Sequence, residues 1–172
     1  MVVLRYDSCM STRPIKPIPL SAEHAAFIQG GVAMDLATRD TRNIPSLARA
    51  IGCRVSADRR CVTVIVANRM IDRFIAALKG TQMIAGVFCL ASTHRAVQIK
   101  GSDAVIEPIE ETDVALVEKT IAAFAADIVT MGYEEGHACA DMTYRPEELI
   151  AITFTPDAVY QQTPGPDAGK QL

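Results

Sequence analysis

The stretch PSLARAIGCRVSADRRCVTVIVA, residues 45–67, decides the fold. Its first part, up to Val55, is a largely apolar segment, a polar turn follows at residues 56–60, and residues 61–67 are rich in valine and isoleucine. β-Branched residues favour strands, and two strands joined by a short polar link indicate an antiparallel hairpin. The stretch therefore predicts a β-sheet in which other strands of the chain extend this hairpin.

Four further strands are predicted around the hairpin. One precedes it and three follow it, because apolar and polar residues alternate along them or apolar residues dominate them. These strands cover residues 32–37, 82–91, 95–106 and 149–155. With the hairpin they predict a mainly β protein with α-helices: a six-stranded antiparallel split β-barrel with flanking helices.

Three helices are predicted from capping residues and apolar stripes. Ser21 is expected to cap a short helix over residues 22–29. Asn68 is expected to cap an amphipathic helix that ends at Gly80, and Thr112 to cap the longest helix. The second and third helices thus follow the third and fifth strands, which leaves most strands joined by links of hairpin length.

The chain is expected to form one domain with two short extensions. Its 172 residues suffice to bury a continuous core. Residues 1–19 contain several prolines and predict an extended N-terminal segment, and residues 20–155 hold the domain. Residues 156–172 are rich in proline and glycine and predict a loose C-terminal tail.

Composition argues against several kinds of partner. Seventeen basic residues against 20 acidic ones give a formal charge of −3, without a basic run, so neither nucleic acid nor an anionic membrane is an expected partner. The longest apolar run, residues 83–91, is far shorter than the ~20 residues of a membrane-spanning helix. The N-terminus lacks the apolar stretch of a signal peptide, and a cytoplasmic location is expected.

The sequence contains no motif typical of a metal site or of a hydrolase. The five cysteines are scattered without a C-x-x-C pair, and His137 and Cys139 lack further ligands at suitable spacing. Neither a phosphate-binding glycine loop, nor G-x-S-x-G, nor H-E-x-x-H occurs. We predict no metal site, and the catalytic residues stay unknown.

Two arginines in the first strand of the hairpin are the leading candidates for binding an anion. Arg49 and Arg54 lie in an otherwise apolar strand, where each guanidinium must reach water or an anion. Five residues of ideal strand would send them to opposite faces, but a bulge at Gly52 would bring both to one face. A phosphate would suit both, and a merely solvated face is the alternative.

Two more groups of polar residues extend this candidate site. Arg69 and Arg73 lie near the predicted start of the second helix, where free N–H groups and the helix dipole favour an anion. Gln98 and Lys100 lie on the polar face of the fifth strand and Arg95 lies at its entry, within reach of a ring edge or a phosphate on a neighbouring subunit. A polar helix face and an ordinary amphipathic edge strand are the respective alternatives.

Three motifs resemble a known family. The strand P-S-x-x-R-x-x-x-x-R, the helix start N-R-x-x-x-R and the strand T-H-R-A-V-Q-I-K-G, in this order, resemble the pyridoxamine 5′-phosphate oxidase-like family of FMN-binding split barrels over about residues 20–110. The resemblance implies a homodimer with FMN in a groove between the subunits. The cofactor-binding residues predicted from the motifs and the resemblance together are Arg49, Ala50, Ile51, Arg54, Val66, Ala67, Asn68, Arg69, Arg73, Arg95, Gln98 and Lys100.

The sequence departs from the family pattern at three points. Phe74 stands where the family has a second basic residue after Arg73, and Ala96 stands where a glutamine follows Arg95. The chain also has no tryptophan, whereas the true oxidases hold pyridoxal phosphate with a tryptophan-containing segment. The resemblance thus implies an FMN-dependent oxidoreductase with a substrate other than pyridoxamine phosphate.

Two other functions stay open at this stage. The barrel is alternatively a carrier or sensor module that binds haem or a deazaflavin without FMN redox activity, and His24, His94 and His137 are then the only histidines available to haem. A third interpretation is a bare dimerisation domain whose arginines are solvated. The cofactor carries the chemistry in the leading hypothesis, which explains the absence of a catalytic motif.

Overall fold

Eight antiparallel strands form one sheet in the computed structural model, which describes residues 17–69, 71–134, 136 and 142–172. The strands are β1 (Ala33–Arg39), β2 (Pro45–Val55), β3 (Val62–Ala67), β4 (Ile84–Leu90), β5 (Arg95–Gly101), β6 (Val105–Glu107), β7 (Leu149–Phe154) and β8 (Ala158–Gln161). Their order across the sheet is β6-β7-β3-β2-β1-β4-β5-β8. The edge strands β6 and β8 do not pair with each other, so the described sheet is not closed.

The sheet has eight strands rather than the predicted six, because two segments differ from the prediction. The predicted fifth strand is two strands, β5 and β6, because the chain leaves the sheet after Gly101 and rejoins it at Val105. Between them, Asp103 accepts a hydrogen bond from the Thr155 N–H at 2.8 Å, which ties this turn to the segment after β7. The second difference is β8, which lies within residues 156–172, where no regular structure was predicted.

One face of the sheet, the inner face, holds the main hydrophobic core. Leu36 of β1 and Phe88 of β4 are fully buried there. Helix α1 (Ala22–Ile28) adds Ile28, and helix α2 (Asp72–Thr81) adds Phe74 and Leu78, none of which is more than 1% exposed. Burying a side chain of this size contributes about 1.5–3 kcal/mol. This burial fixes α1 and α2 against the inner face.

Helix α3 (Asp113–Thr130) packs on the opposite, outer face of the sheet. Its Val117 and Phe124 form a second buried cluster with Ile51 of β2 and Ile65 of β3. The β2–β3 register shifts between Ala50 and Gly52, which is the bulge expected at this glycine. A Cβ at Gly52 would lie 3.0 Å from Val117 Cγ2, so the glycine also lets the helix approach the sheet.

Helix α2 begins later than the sequence predicts. Asn68 does not cap it, because the helix starts at Asp72, after Ile71, and no side chain caps the first turn. The Asn68 backbone N–H instead donates to the Glu148 carbonyl at 2.7 Å, which ties the end of β3 to the single 3₁₀ turn at Pro146–Glu148. The prediction of Asn68 as the cap is therefore wrong, and Arg69 lies before the helix.

The other two helices begin where predicted. Ser21 caps α1, since its Oγ accepts a hydrogen bond from the His24 N–H at 3.0 Å. Thr112 precedes α3 without a capping bond from its side chain. The carboxylate of Asp113 accepts the Glu110 N–H at 2.8 Å instead, so the first helical residue itself secures the turn before the helix.

Residues 165–172 cover the free edge of β8. The Gly169 N–H donates to the Gln161 carbonyl at 2.7 Å, and the Gln161 N–H donates to the Lys170 carbonyl at 2.9 Å. The Leu172 N–H donates to the Val159 carbonyl at 2.9 Å. The edge of β8 thus has backbone partners although it is the last strand of the sheet.

Some of the predictions concern residues that the structure does not describe. These are the N-terminal segment up to residue 16 and the pair His137 and Cys139. The domain boundaries at residues 20 and 155 stay a prediction. Within the described ranges, no helix is long and apolar enough to cross a membrane.

Candidate functional site

The outer face of the sheet carries a row of side chains that crosses five strands. Asp35 of β1 pairs with Arg49 of β2 on one side and with Val87 of β4 on the other. The pairing continues from Val87 to Gln98 of β5 and from there to Tyr160 of β8. Adjacent strands are about 4.8 Å apart, so Arg49 and Gln98, three strands apart, are separated by roughly 14 Å at the backbone.

A second row runs beside the first. It consists of Leu47, Ala37, Ala85, Lys100 and Ala158, paired in this order across the same five strands. We call the two rows together the two-row face. Three residues of the predicted site, Arg49, Gln98 and Lys100, therefore lie on one face, and the side chains between them are Ala37, Ala85, Val87 and the exposed carboxylate of Asp35.

The cations on the two-row face lie beside aromatic rings. The Arg49 guanidinium carbon is 5.9 Å from the centroid of the Phe124 ring of α3. The Lys100 ammonium is 4.7 Å from the centroid of the Tyr160 ring. Among the described residues, neither cation forms an ion pair, so both charges are available to an anion.

Arg54 lies on the same outer face as Arg49 but is already paired. Its Nε is 3.0 Å from the carboxylate of Asp113, which is fully buried, and its Nη2 is 2.9 Å from the carboxylate of Glu110. Asp113 and Phe124 are eleven residues apart on α3, about 16 Å along the helix axis. The bulge thus puts both arginines on one face, as predicted, yet it does not bring them to one anion.

Three other predicted residues, Ala50, Ile51 and Val66, face the main core or lie under α3, and a fourth, Ala67, lies at the end of β3. Ala50 and Val66 are 2% and 1% exposed and belong to the main core. Ile51 is buried under α3, and Ala67 is half-buried at the end of β3. A ligand would meet the backbone of these strands rather than the side chains of Ala50, Ile51 and Val66.

Arg73 lines a cleft between α2 and the turn that joins β1 to β2. The cleft has a volume of about 260 Å³, and Arg42 and Ser46 line it from the other side. Asn68 and Arg69 are exposed just before α2. The sequence analysis missed Arg42, because residues 38–43 had no feature beyond that of a polar turn.

Arg95 is held by α1. Its Nη2 is 2.6 Å from the Glu23 carboxylate, and its guanidinium carbon is 4.4 Å from the centroid of the Phe27 ring. The two contacts link the start of β5 to the first helix. They also direct this guanidinium toward α1.

A second cleft, of about 340 Å³, opens at the end of the second row. Ala37, Ala85 and Lys100 line it together with Arg39, and Ser102 donates to the Asp157 carboxylate there at 2.7 Å. Ligand pockets usually have volumes of about 300–1,000 Å³. The two-row face therefore continues into a space large enough for part of a small molecule.

The pKa values of Asp40, which lines the first cleft, and of Cys89, on the outer face of β4, are shifted. Hydrogen bonds from the backbone N–H groups of Ile44 and Arg42 hold the pKa of the Asp40 carboxyl below its ordinary value. Burial, with the nearby charges of Asp35 and Asp127, raises the pKa of the Cys89 thiol. Cys89 is thus unsuited to act as a thiolate, while Asp40 stays ionised at neutral pH. No group of three metal-ligating side chains occurs in the described ranges.

Sequence comparison identifies no relative. No protein-family model matches the chain, and no curated protein matches it in sequence. Likeness to known proteins therefore comes from solved structures.

Solved structures share the fold. HupZ of Group A Streptococcus is 13% identical, with a TM-score of 0.51 over 87% of this chain and 99% of its own. An F420 reductase is 14% identical, with a TM-score of 0.51 over 83% of this chain and 98% of its own. A pyridoxamine 5′-phosphate oxidase-related, FMN-binding protein of Nostoc punctiforme aligns at 14% identity, with a TM-score of 0.47 over 86% of this chain and 87% of its own. The chain shares the fold of HupZ and of the F420 reductase, and the matching structures include a protein related to the pyridoxamine 5′-phosphate oxidase family that its motifs resemble.

Proposed function

We propose that the protein is an FMN-binding flavoprotein, an oxidoreductase whose substrate differs from pyridoxamine phosphate, and that two copies hold the cofactor between them. One observation carries the proposal: Arg49, Gln98 and Lys100 lie on one exposed sheet face, in two adjacent rows. The side chains between them include Ala37 and Ala85, which are small and leave room for a flat ring, together with Asp35 and Val87. FMN when bound supplies two-electron redox chemistry.

The residues present fit the parts of FMN. The phosphate needs cations that no carboxylate already holds, and Arg49, Arg69 and Arg73 form no ion pair with any described residue. Gln98 and Lys100 offer hydrogen bonds to the polar edge of the ring or to the ribityl hydroxyls. Arg54 and Arg95, which already have acidic partners, fit the phosphate less well.

A second copy is proposed to cover the two-row face. Leu47, in the second row, is 75% exposed, and Val87 and Cys89 are partly exposed on the same side of the sheet. Large exposed apolar side chains in one area favour association. The matched variants Leu47→Glu and Val129→Glu test whether the two-row face or the end of α3 forms the dimer contact. Val129 is also exposed, but it lies on the helix.

Light scattering after size exclusion then measures the molar mass of each variant. We expect a dimer for the wild type and for Val129→Glu, and a monomer for Leu47→Glu. A monomeric wild type would contradict the proposed dimer.

The first test of the cofactor is the visible absorption spectrum of the freshly purified protein, followed by identification of the small molecule released on denaturation. We expect a flavin spectrum and released FMN. If the protein is colourless, a titration with FMN repeats the test. A colourless protein that binds no added FMN would contradict the proposal and favour a bare dimerisation domain.

The same spectrum distinguishes the alternatives. A sharp haem band would favour a haem carrier or sensor, and replacing His24 and His94, which lie in the described part of the chain, together with His137 would test histidine ligation. A released deazaflavin would keep the redox class and change the cofactor. Either outcome would refute FMN as the bound group.

A matched pair of variants tests the role of Arg49. We expect Arg49→Ala to weaken FMN binding about tenfold, since a charge-assisted hydrogen bond contributes about 1.5–3 kcal/mol. Arg60→Ala removes an equally charged residue from the β2–β3 turn and should leave the affinity unchanged. Equal affinities for both variants would remove Arg49 from the site.

A further inference from the structure

We propose that the second cleft, at the end of the two-row face, is a binding site for a small organic carboxylate with an apolar body. The cleft has a volume of about 340 Å³, and Arg39 and Lys100 are the two cations that line it. Ala37, Ala85 and Met83 add an apolar lining. The inference goes beyond the proposed function, because it concerns a ligand other than the cofactor and does not require that FMN binds.

Arg39 is oriented by neutral groups. It lies two residues beyond Ala37 at the end of β1, and its carbonyl accepts a hydrogen bond from the Thr81 hydroxyl at 2.9 Å. Its guanidinium donates to the side-chain oxygen of Asn43 and, at 3.1 Å, to the sulfur of Met83. Neither acceptor is charged, and Arg39 forms no ion pair with any described residue. Its positive charge is therefore available to an anion in the cleft.

Lys100 is likewise held without an acidic partner among the described residues. Its side chain is half-buried, and its ammonium is 4.7 Å from the centroid of the Tyr160 ring, which attracts the charge without neutralising it. The Lys100 carbonyl accepts the Asp157 N–H at 2.9 Å, which ties the end of β5 to the start of β8. A half-buried ammonium has lost part of its hydration, and an anion in the cleft would compensate for that loss.

The wall of the cleft between the two cations is already fixed. The Thr38 hydroxyl donates to the Met83 carbonyl at 2.6 Å, which joins β1 to the segment before β4. Ala85 of β4 is paired with Ala37 on one side and with Lys100 on the other. Binding therefore orders little more than the outer atoms of the two cationic side chains, and a small loss of conformational entropy favours binding.

The charges that line the cleft suit an anion with a single charge. Asp157 is the acidic side chain among the described lining residues, and it already accepts a hydrogen bond from the Ser102 hydroxyl at 2.7 Å. Two cations and one carboxylate leave a net charge of +1. This charge matches one carboxylate group better than a doubly charged phosphate, and both cations donate charge-assisted hydrogen bonds to carboxylate oxygens.

The test compares benzoate with benzamide, which has the same ring without the charge. Isothermal titration calorimetry at neutral pH measures both dissociation constants for the protein as purified. We expect the wild type to bind benzoate about tenfold more tightly than benzamide, because hydrogen bonds to a charged group are the stronger ones.

Four variants show whether the two cations cause this preference. Arg39→Gln and Lys100→Met remove a charge and keep most of the side-chain stem, and each should weaken benzoate binding about tenfold without changing benzamide binding. Arg60→Gln and Lys119→Met replace exposed cations that do not line the cleft, and both should match the wild type. Arg39→Lys should restore part of the affinity that Arg39→Gln loses.

Arg39 is the decisive residue, because Lys100 also belongs to the proposed flavin face. Benzoate affinity unchanged in Arg39→Gln would overturn the inference, as would equal wild-type affinities for benzoate and benzamide. Tighter binding of inorganic phosphate than of benzoate would overturn the assignment to a carboxylate.

The result is also independent of the proposed function. A protein that binds benzoate through Arg39 but binds no FMN would support the cleft and refute the flavoprotein. A protein that binds FMN but no benzoate would overturn the cleft and leave the proposed function intact.

Discussion

Arg54 and Asp113 join the sheet to the longest helix: the guanidinium Nε lies 3.0 Å from a carboxylate that has no exposed surface. The same arginine contacts Glu110 at 2.9 Å, and the Glu110 N–H donates to Asp113 at 2.8 Å. A buried carboxylate without its partner is costly. This pair therefore fastens the start of α3 to β2, 59 residues away in sequence.

Replacing Arg54 is expected to affect stability more than ligand binding. Arg54→Ala leaves Asp113 buried and unpaired, and we expect the free energy of unfolding to fall by about 2–3 kcal/mol. Urea denaturation measures this change. Arg49→Ala should give the opposite result, with weaker FMN binding and unchanged stability. Loss of FMN from a fully stable Arg54→Ala protein would instead support Arg54 as a phosphate ligand.

The charge of Asp40 is expected to stabilise the β1–β2 turn in a pH-dependent way. Its pKa lies below the ordinary 3.8 because backbone N–H groups donate to the ionised carboxylate. The stabilisation is therefore complete above that value and is lost as the pH falls through the lowered pKa. Melting temperatures of the wild type and Asp40→Asn should differ at pH 7, and the difference should shrink as the pH falls below 3.8 through the lowered pKa. A difference that stays constant as the pH falls below 3.8 would contradict this prediction.

Two glycines should respond oppositely to replacement by alanine. A Cβ at Gly31 would lie 2.4 Å from the backbone carbon of Ala123 in α3, so Gly31→Ala should destabilise the fold by about 1–3 kcal/mol. Gly80 lies near the end of α2, and its added Cβ would meet nothing nearer than Thr41 at 4.0 Å. Gly80→Ala should therefore stabilise by about 0.5 kcal/mol. Thermal unfolding measures both, and a Gly31→Ala protein as stable as the wild type would refute the close approach at Gly31.

Removing Arg95 is expected to loosen α1 rather than the whole protein. Glu23 is largely exposed, so the ion pair and the contact with Phe27 contribute about 1 kcal/mol or less each. In Arg95→Ala, amide hydrogen exchange should accelerate in Ala22–Ile28 while the sheet stays protected. Lys170→Ala breaks a surface pair with Asp167 and serves as the control, in which α1 should exchange as in the wild type.

Local sequence patterns predict those parts of the fold that short-range rules determine. The β2–β3 hairpin, the bulge at Gly52 and the Ser21 cap follow from neighbouring residues, and the structure contains all three. The prediction for Asn68 fails because its backbone N–H donates to the Glu148 carbonyl, which belongs to a distant part of the chain. Strand β8 likewise depends on pairing with β5, which nothing within its four residues reveals.

The residue types predict which side chains are candidates for the site, but not which of them lie together. Arginines in apolar strands must find water or an anion, which correctly identifies Arg49 and Arg54 as unusual. Only the tertiary structure separates them, since Arg54 finds Asp113 and Arg49 does not. Arg42 has no local signal, because only the packing of α2 brings Arg73 to the other side of the cleft that Arg42 lines.

The cover that residues 165–172 form over β8 also bears on solubility. Without it, the backbone groups of β8 would face water as an open ladder, ready to accept a strand from another molecule. These backbone groups of β8 already have hydrogen-bond partners in the same chain: the N–H groups of Gly169 and Leu172 and the Lys170 carbonyl. Deleting this segment would turn the edge of the sheet into a template for intermolecular aggregation.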